Sequence, residues 1–263
     1  MASNPAVPID EFNVATFTYK VIEGQPVLVD LFVPKGLPSG KRPVLVLFHG
    51  GFLVYGSRNN IQLTAPRIIE YALENNAILV SCDYRLLAES TGVEILEDIA
   101  DVWSWVQSSL GEAIQTMTDG NSPRTWVGFC WLARVQHLKH LPDGPQPTTR
   151  AISNLPIAMV QHGTCTSFFG DYRSLFPIEC LEDNPQLALE LPFIWLHHGN
   201  DDSEVLIEGS RKFVAKLREL NPKSKLRYTE LEGAEHGFWS EVNLIQSGEW
   251  EEGVKVFNTY LFN

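Results

Sequence analysis

The stretch PVLVLFHGGF, residues 43–52, decides the fold that the sequence predicts. Its first part, residues 43–49, is an apolar run typical of strands that are buried on both faces of a parallel sheet. The run stops at Gly50 and Gly51, where the absence of a side chain lets the backbone turn and approach another group closely. The stretch therefore predicts a central strand whose carboxyl end carries a functional loop.

Seven further runs predict strands, and helical patterns lie between them. With the first run, the candidate strands are 16–23, 26–33, 43–49, 77–83, 124–130, 156–162, 192–198 and 225–231. The first two, separated by Gly24 and Gln25, predict an antiparallel hairpin. Strands that alternate with helices predict an α/β fold, here an eight-stranded and mostly parallel sheet with helices on both faces.

The clearest helical pattern runs from Val93 to Leu110. Its apolar residues recur at three- and four-residue steps, while Asp98 and Asp101 are predicted to face away from the core. Two further helices are indicated by the apolar sets Phe213, Leu217, Leu220 and Trp250, Val254, Phe257, Leu261. The length of 263 residues suits a single α/β domain spanning 1–263.

Composition excludes several classes of partner. The net charge of −12 argues against binding nucleic acid or an anionic membrane, because both require a basic surface. No apolar run approaches the ~20 residues of a membrane span, and the N-terminus lacks a signal-peptide pattern. The four cysteines form no CxxC pair, so we expect no structural zinc site, and the chemistry considered below implies no metal and no organic cofactor. We expect a cytoplasmic protein with a small-molecule substrate, and the oligomeric state is left open.

Reactive residue types follow three other candidate strands. Strand 124–130 ends at Cys130, and the two last strands lead to Asp202 and His236. Reactive groups collect beyond the carboxyl ends of strands in such sheets. A thiol, a histidine and a carboxylate are the parts of a nucleophilic triad, with Asp201 as the alternative acid.

The four strand ends together carry a family resemblance that covers nearly the whole chain. The chain resembles the α/β-hydrolases of the esterase and lipase group with an HGG oxyanion motif. The segment SCDYRLLAESTGVEILEDIADVWSWV, residues 81–106, is similar to that of many fungal hydrolases, which often belong to secondary-metabolite pathways. The resemblance implies a Cys130, His236 and Asp202 triad. It also implies an oxyanion hole made by backbone N–H groups of Gly50 or Gly51 and of Trp131.

The chain departs from the family at the nucleophile. The family pattern is Gly-x-Ser-x-Gly, whereas this chain reads GFCWLA over 128–133, with Leu132 where the second glycine stands. Dienelactone hydrolases are similar in using cysteine after Gly-Phe and before Trp, but they keep that glycine. Leucine should push the following helix outward or relax the sharp turn. Cys130 is therefore either a reactive nucleophile or an inert packing residue.

Other polar and aromatic residues have predicted roles around this site. Phe52 is expected to contact substrate, and the segment 163–191 is expected to form a short lid through Phe168, Phe169 and Tyr172, with ordinary packing as the alternative. His49 is expected to hold its loop. Asp83, Tyr84 and Arg85 are expected to form a structural turn network. His162, His197 and His198 are expected either to support the site or to lie in the core.

Two enzymatic functions remain open at this stage. The first is hydrolysis or acyl transfer on an ester, thioester or lactone through Cys130, His236 and Asp202. The second is a non-hydrolytic cyclisation, isomerisation, elimination or epoxide opening on a polyketide-like substrate, in which His236 and Asp202 act as an acid–base dyad. A catalytically inactive binding protein is the third and weakest reading.

Overall fold

The computed structural model describes residues 8–38, 40–61, 66–118, 126–132, 167, 169–170, 172–238 and 248–261. The chain divides into two compact units. The first unit comprises Met1–Ser90, Glu94–Arg134 and Asn258–Asn263, and the second comprises Thr91–Val93 and Val135–Phe257. That the whole chain forms one domain stays a prediction, and the two units are described one by one.

The first unit contains a mixed five-stranded sheet. Its strands are β1 (Phe12–Ile22), β2 (Gln25–Pro34), β3 (Arg42–Phe48), β4 (Ile78–Cys82) and β5 (Trp126–Leu132), in the order β1-β2-β4-β3-β5. β2 pairs antiparallel with β1 and β4, whereas β3 pairs parallel with β4 and β5. Five of the eight candidate strands are thus confirmed here with shifted bounds, and candidate 156–162 lies outside the described residues.

The hairpin between β1 and β2 is antiparallel, as predicted. Its turn residues are Glu23 and Gly24, one position earlier than the sequence indicated, with φ of 49° and 80°. Two successive positive φ values match the twist of a two-residue hairpin turn, and glycine reaches such a value without strain. β3 and β4 are buried at every position after Arg42, as expected for strands covered on both faces.

Three helices accompany this sheet: α1 (Pro66–Glu74), α2 (Gly92–Ser108) and α3 (Leu110–Met117). The predicted helix from Val93 to Leu110 is therefore two helices that meet at Ser109, whose backbone leaves the helical region at φ −122°. The apolar side of α2 is buried through Ile95, Val102 and Val106, as its spacing predicts.

The prediction that Asp98 faces away from the core is wrong. Its side chain is 0% exposed and accepts hydrogen bonds from the Arg85 guanidinium and backbone N–H and, at 2.8 Å, from Lys20 Nζ. A buried carboxylate is stable only when it is paired with charge and hydrogen-bond donors, which these two cations supply. Asp101, one turn further along α2, is the exposed partner of Lys20.

The described part of the second unit contains two parallel strands, β6 (Ile194–Gly199) and β7 (Leu226–Leu231). Its described residues also form the helices α4 (Pro177–Asp183), α5 (Leu187–Glu190), α6 (Glu208–Leu220) and α7 (Gly248–Leu261), and the last residues of α7 count with the first unit. Leu181, Ala188 and Leu217 form its buried apolar cluster. The strands 192–198 and 225–231 and the helices at 213–220 and 250–261 are confirmed. Among the described residues no helix has the length and apolar character needed to cross a membrane.

Candidate active site

The ends of β6 and β7 bring an aspartate and a histidine together. Asp202 lies three residues after β6 and His236 five residues after β7. Because neighbouring parallel strands end at the same edge, the two loops meet there. His236 Nδ1 lies 2.9 Å from Asp202 Oδ2 and 3.2 Å from Oδ1. The predicted pairing is therefore present, and it uses Asp202 rather than the exposed Asp201.

Asp202 is held as an ionised carboxylate. Its Oδ1 accepts hydrogen bonds from the backbone N–H of Val205 at 2.7 Å and of Glu204 at 3.0 Å. Burial alone would raise the pKa of Asp202. The interactions with His198 and His236 and the Val205 N–H outweigh that cost and hold the pKa well below its usual range. The group can therefore orient a histidine and stabilise its positive charge at neutral pH.

The two loops that carry the pair are fastened to each other. Glu235 Oε2 accepts hydrogen bonds from Ser203 N and Oγ, both at 3.0 Å, and from the backbone N–H of His236 at 3.1 Å. These bonds, with that from Ser203 N foremost, lower the pKa of Glu235. At Gly199 a side chain would collide with the carbonyl of Ala234, so only glycine permits this approach of the loops.

The hydrogen bond to Asp202 determines which nitrogen of His236 is left for chemistry. A ring whose Nδ1–H faces a carboxylate exchanges its other proton through Nε2. Glu204 Oε2 lies 3.5 Å from that Nε2. The sequence interpretation did not include Glu204. Its position two residues after Asp202, inside the turn that binds the Asp202 side chain, is the signal that could have indicated it.

His198 supports Asp202 from the end of β6. Support of the site was one of the two roles predicted for it. Its Nε2 donates to Val205 O at 2.8 Å and lies 3.4 Å from Asp202 Oδ2, while Nδ1 bonds to Ser210 Oγ at 2.7 Å. Burial lowers the pKa of His198, but the contacts with Asp202 and Val205 give a net rise.

His197 lies against the ring of Trp195, away from these contacts. Burial, reinforced by Arg227, lowers its pKa to about 4. It is a partly buried packing residue that does not contact the Asp202–His236 pair, whereas His162 lies outside the described residues.

In the first unit, contacts between His49 and Tyr84 hold the loop that follows β3 and contains His49, Gly50 and Gly51. The His49 ring stacks on Tyr84 with 4.3 Å between ring centroids, and Tyr84 Oη donates to His49 O at 2.6 Å. His49 thus holds its loop, as expected. Gly51 has φ of 115°, and a side chain there would collide with the Tyr55 carbonyl. Phe52 is buried with φ of 56°, and its predicted contact with substrate stays a prediction.

A network of ion pairs surrounds the segment that follows β4. Arg58 binds Asp30 Oδ1 at 3.0 Å and Asp83 Oδ2 at 2.6 Å, and Arg85 binds the buried Asp98. The expectation that Asp83, Tyr84 and Arg85 are structural is confirmed by these contacts.

The strand that carries Cys130 ends later than the sequence predicts. β5 continues to Leu132, and Cys130 pairs in parallel register with Leu45, two residues before the end of the strand. The predicted strand end at Cys130 is wrong, because the residues after it, Trp131 and Leu132, favour an extended backbone where a glycine would permit a sharp turn. Cys130 belongs to the first unit and the Asp202–His236 pair to the second. The nucleophilic role of Cys130 and the oxyanion roles of Gly50, Gly51 and Trp131 stay predictions.

The predicted lid segment 163–191 is described in part. Phe169 is buried and packs at 5.9 Å against Phe176, and Leu181 of α4 belongs to the apolar cluster of the second unit. These residues pack as core. Tyr172 is 62% exposed, and Phe168 lies outside the described residues. A role of the segment in covering substrate stays a prediction. Within the described ranges no cluster of His, Cys, Asp or Glu could hold a metal ion.

Known proteins similar to this chain are esterases and parts of polyketide synthases. The chain is 27% identical to the probable carboxylesterase M8 of a Phoma species, over 90% of this chain and 92% of that protein. It is 32% identical to the non-reducing polyketide synthase stbA of Stachybotrys bisbyi over 38% of this chain, which is 4% of the synthase. No family model matches the chain.

Solved structures show the fold. The Thermogutta terrifontis esterase 2 phosphonylated by sarin matches 99% of both chains with a TM-score of 0.64 at 15% sequence identity. At that identity the likeness establishes the α/β-hydrolase fold of these esterases and nothing finer. With the carboxylesterase relative, it makes the chain a hydrolase-fold, esterase-like enzyme.

Proposed function

We propose that the chain hydrolyses an ester, thioester or lactone of a small molecule, with His236 as the group that transfers protons. The observation that carries this proposal is the hydrogen bond between His236 Nδ1 and Asp202, which leaves Nε2 as the ring nitrogen that can exchange a proton with a reacting group. The similarity to the carboxylesterase M8 over nearly the whole chain supports the same reaction class.

In the proposed mechanism Cys130 supplies the nucleophile. His236 Nε2 takes the proton of the Cys130 thiol, and the thiolate attacks the substrate carbonyl. The resulting oxyanion accepts hydrogen bonds from the backbone N–H groups of Gly50 or Gly51 and of Trp131. The intermediate collapses, the alcohol or thiol leaves with the proton from His236, and an acyl-thioester remains. His236 then deprotonates a water that attacks the thioester, the C–S bond breaks to free the acid, and His236 returns the proton to the departing Cys130 thiolate. Asp202 stabilises each imidazolium.

The relatives suggest the origin of the substrate. A region of polyketide synthases is similar to 38% of this chain, and the carboxylesterase relative is also fungal. We therefore propose a polyketide-derived ester or lactone from secondary metabolism as substrate, in the cytoplasm. The net charge of −12 is compatible with this neutral class and does not favour nucleic acid or an anionic membrane.

A second candidate function drops the covalent step. It is favoured by the continuation of β5 through Cys130 to Leu132, because a triad nucleophile ordinarily occupies a sharp turn at the strand end. In this alternative Asp202 and His236 act as an acid–base dyad that cyclises or isomerises a polyketide-like substrate, or opens an epoxide.

Substitution of Cys130 separates the two functions. If the mechanism is covalent, Cys130→Ala should lower turnover of aryl esters and of an acyl-thioester by roughly 10³-fold, as removal of a triad member does. Inactivation by iodoacetamide should then follow alkylation of Cys130, measured by peptide mass spectrometry.

Cys180→Ala is the matched control, because Cys180 is a partly exposed free thiol that takes no part in the proposed steps. It should retain wild-type turnover. Burial raises the pKa of the Cys82 thiol, so Cys82 should not be alkylated in the folded protein. Full activity of Cys130→Ala would end the covalent mechanism, and little activity of the wild-type protein on aryl esters would favour the dyad.

A further inference from the structure

The nitrogen of His236 that the proposed chemistry uses already has an acidic neighbour. Glu204 Oε2 lies 3.5 Å from His236 Nε2, while Asp202 occupies Nδ1 at 2.9 Å. The imidazole is thus flanked by one carboxylate on each nitrogen. The triad role of Asp202 explains the contact at Nδ1. Hydrolysis by Cys130 does not require a carboxylate at Nε2.

The backbone of Glu204 fixes the starting point of this side chain. Its N–H donates to Asp202 Oδ1 at 3.0 Å, so the residue belongs to the turn that holds the triad acid. The side chain itself is 33% exposed, so it can rotate away from the ring into solvent. A fixed main chain with a partly solvated carboxylate is suited to a contact that is made at rest and released in the reaction.

The protonation state of the ring determines whether the contact is favourable. When His236 is protonated, Nε2–H can donate to Glu204 and form an ion pair. When the ring is neutral with its proton on Nδ1, the Nε2 lone pair and the Glu204 carboxylate are two acceptors that repel each other. A substrate that takes the position beside Nε2 must therefore displace Glu204 or lie against its negative charge.

From this geometry we infer that Glu204 determines charge specificity at the reacting nitrogen: its carboxylate lies beside Nε2, where it can pair with the ring when both nitrogens carry a proton, and it disfavours substrates that carry a negative charge near the scissile bond. This inference rests on the proposed use of Nε2 by the enzyme. It assigns the substrate to neutral or cationic esters and lactones, because Glu204 and Asp202 together give this edge of the site a negative potential.

Other charged groups near His236 stay in place when Glu204 is changed. Asp202 faces Nδ1, Glu235 accepts from the backbone N–H of His236, and His198 reaches the ring only through Asp202. A change in charge preference or in pH dependence on substitution of Glu204 is therefore attributable to its own carboxylate.

The test compares two esters of equal acyl length, p-nitrophenyl butyrate and mono-p-nitrophenyl succinate, of which only the second carries a carboxylate. Glu204→Gln should raise the ratio of kcat/KM for the succinate ester to that for the butyrate ester by roughly fivefold, the effect of one unit charge near 4 Å in water. The acid limb of the pH profile should move to lower pH, because the protonated ring loses one partner.

Glu219→Gln on α6 is the matched control, since it removes the same charge from an exposed residue bound to Lys216. It should leave both the ratio and the pH profile at wild-type values. Glu204→Asp keeps the charge and shortens the side chain, and it should retain most of the wild-type preference. The inference would be overturned if Glu204→Gln and Glu219→Gln had the same ratio of kcat/KM values and the same acid limb of the pH profile.

A readout without turnover separates this inference from the proposed function. NMR titration of the histidine ring protons measures the protonation of His236 directly. The His236 signal is identified among the seven histidines by its loss in His236→Ala. Protonation of His236 should require lower pH in Glu204→Gln than in wild type, even if neither ester is hydrolysed. An unchanged titration would refute the ion pair, whereas absence of hydrolysis with a shifted titration would refute only the proposed esterase function.

Discussion

Asp98 in the first unit and Asp202 in the second are both buried carboxylates, yet their neighbours differ in kind. Asp98 is bound by the Arg85 guanidinium and by Lys20 Nζ. Asp202 is bound by two imidazoles and by backbone N–H groups. Hydrogen bonds outweigh the cost of burial at both sites, so both carboxylates have a pKa below the usual range.

The difference shows that a lowered pKa and burial do not mark a functional carboxylate by themselves. Arginine and lysine keep their protons at neutral pH, so a carboxylate bound to them can only hold structure together. Histidine gains and loses its proton near neutral pH, so a carboxylate bound to it can assist proton transfer. The partner of the carboxylate, and not its own titration, separates the structural network from the candidate active site.

Asp202→Asn should give the largest effect on catalysis. The amide keeps an oxygen for the Val205 and Glu204 N–H groups but no longer fixes the tautomer of His236, and kcat should fall by roughly 10⁴-fold. Steady-state kinetics on an aryl ester measure this loss. Asp201→Asn, at the exposed neighbouring position, should keep wild-type kcat. A loss in Asp202→Asn of less than tenfold would contradict the catalytic assignment.

Asp98→Asn should lower stability and leave catalysis unchanged, unlike Asp202→Asn. Loss of the buried negative charge leaves Arg85 and Lys20 with only their more exposed partners Glu94, Glu97 and Asp101, and the free energy of unfolding should fall by about 3 kcal/mol. Urea denaturation followed by circular dichroism measures the loss, while kcat per folded molecule should stay at its wild-type value. Asp101→Asn is the matched control: its side chain is 47% exposed, so it should cost at most about 1 kcal/mol.

The pH dependence of stability also tests Asp98, through the comparison of wild type with Asp98→Asn. Because the pKa of Asp98 is lower in the folded state, its stabilising contribution is complete above about pH 4 and is lost as the pH falls further. The difference in unfolding free energy between wild type and Asp98→Asn should therefore shrink below that pH. A difference that stays constant down to strongly acidic pH would show that Asp98 does not stabilise the fold through its charge.

His198→Gln should give the smallest effect, since this residue acts through Asp202. We expect kcat/KM to fall by roughly tenfold and the unfolding free energy by about 1–2 kcal/mol, the cost of lost buried hydrogen bonds. Ser210→Ala removes only the partner of His198 Nδ1, and it should cost stability without a tenfold loss of activity. Equal activity of His198→Gln and wild type would make His198 a packing residue alone.

Local patterns in the sequence account for the features that were predicted well. Apolar runs locate β3 and β4 because strands buried on both faces carry apolar residues at every position. The pairing of Asp202 with His236 follows from their places after two neighbouring parallel strands. Both conclusions need only short-range pattern and the rule that parallel strands end at one edge.

The features that were missed depend on contacts between distant residues or on departures from a motif. Asp98 carries a charge on an amphipathic helix, and only the approach of Lys20, 78 residues earlier, reveals why it is buried. The end of β5 was predicted at Cys130, although the glycine that permits a turn there in the family is replaced by Leu132 in this chain. Glu204 belongs to no motif, and its proximity to His236 follows from the turn that the side chain of Asp202 organises.

The Lys20 contact also bears on how the protein avoids aggregation. β1 is the outer strand of the described sheet, and an 11-residue outer strand can recruit a strand from another molecule. The register of β1 shifts between Thr18 and Lys20, which interrupts a flat ladder, and Lys20 is drawn to Asp98 and Asp101. Val14 and Val21 remain exposed on the same strand, 48% and 61%. The register shift, next to the residue that the ion pairs tie to α2, should therefore hinder intermolecular β-pairing along β1.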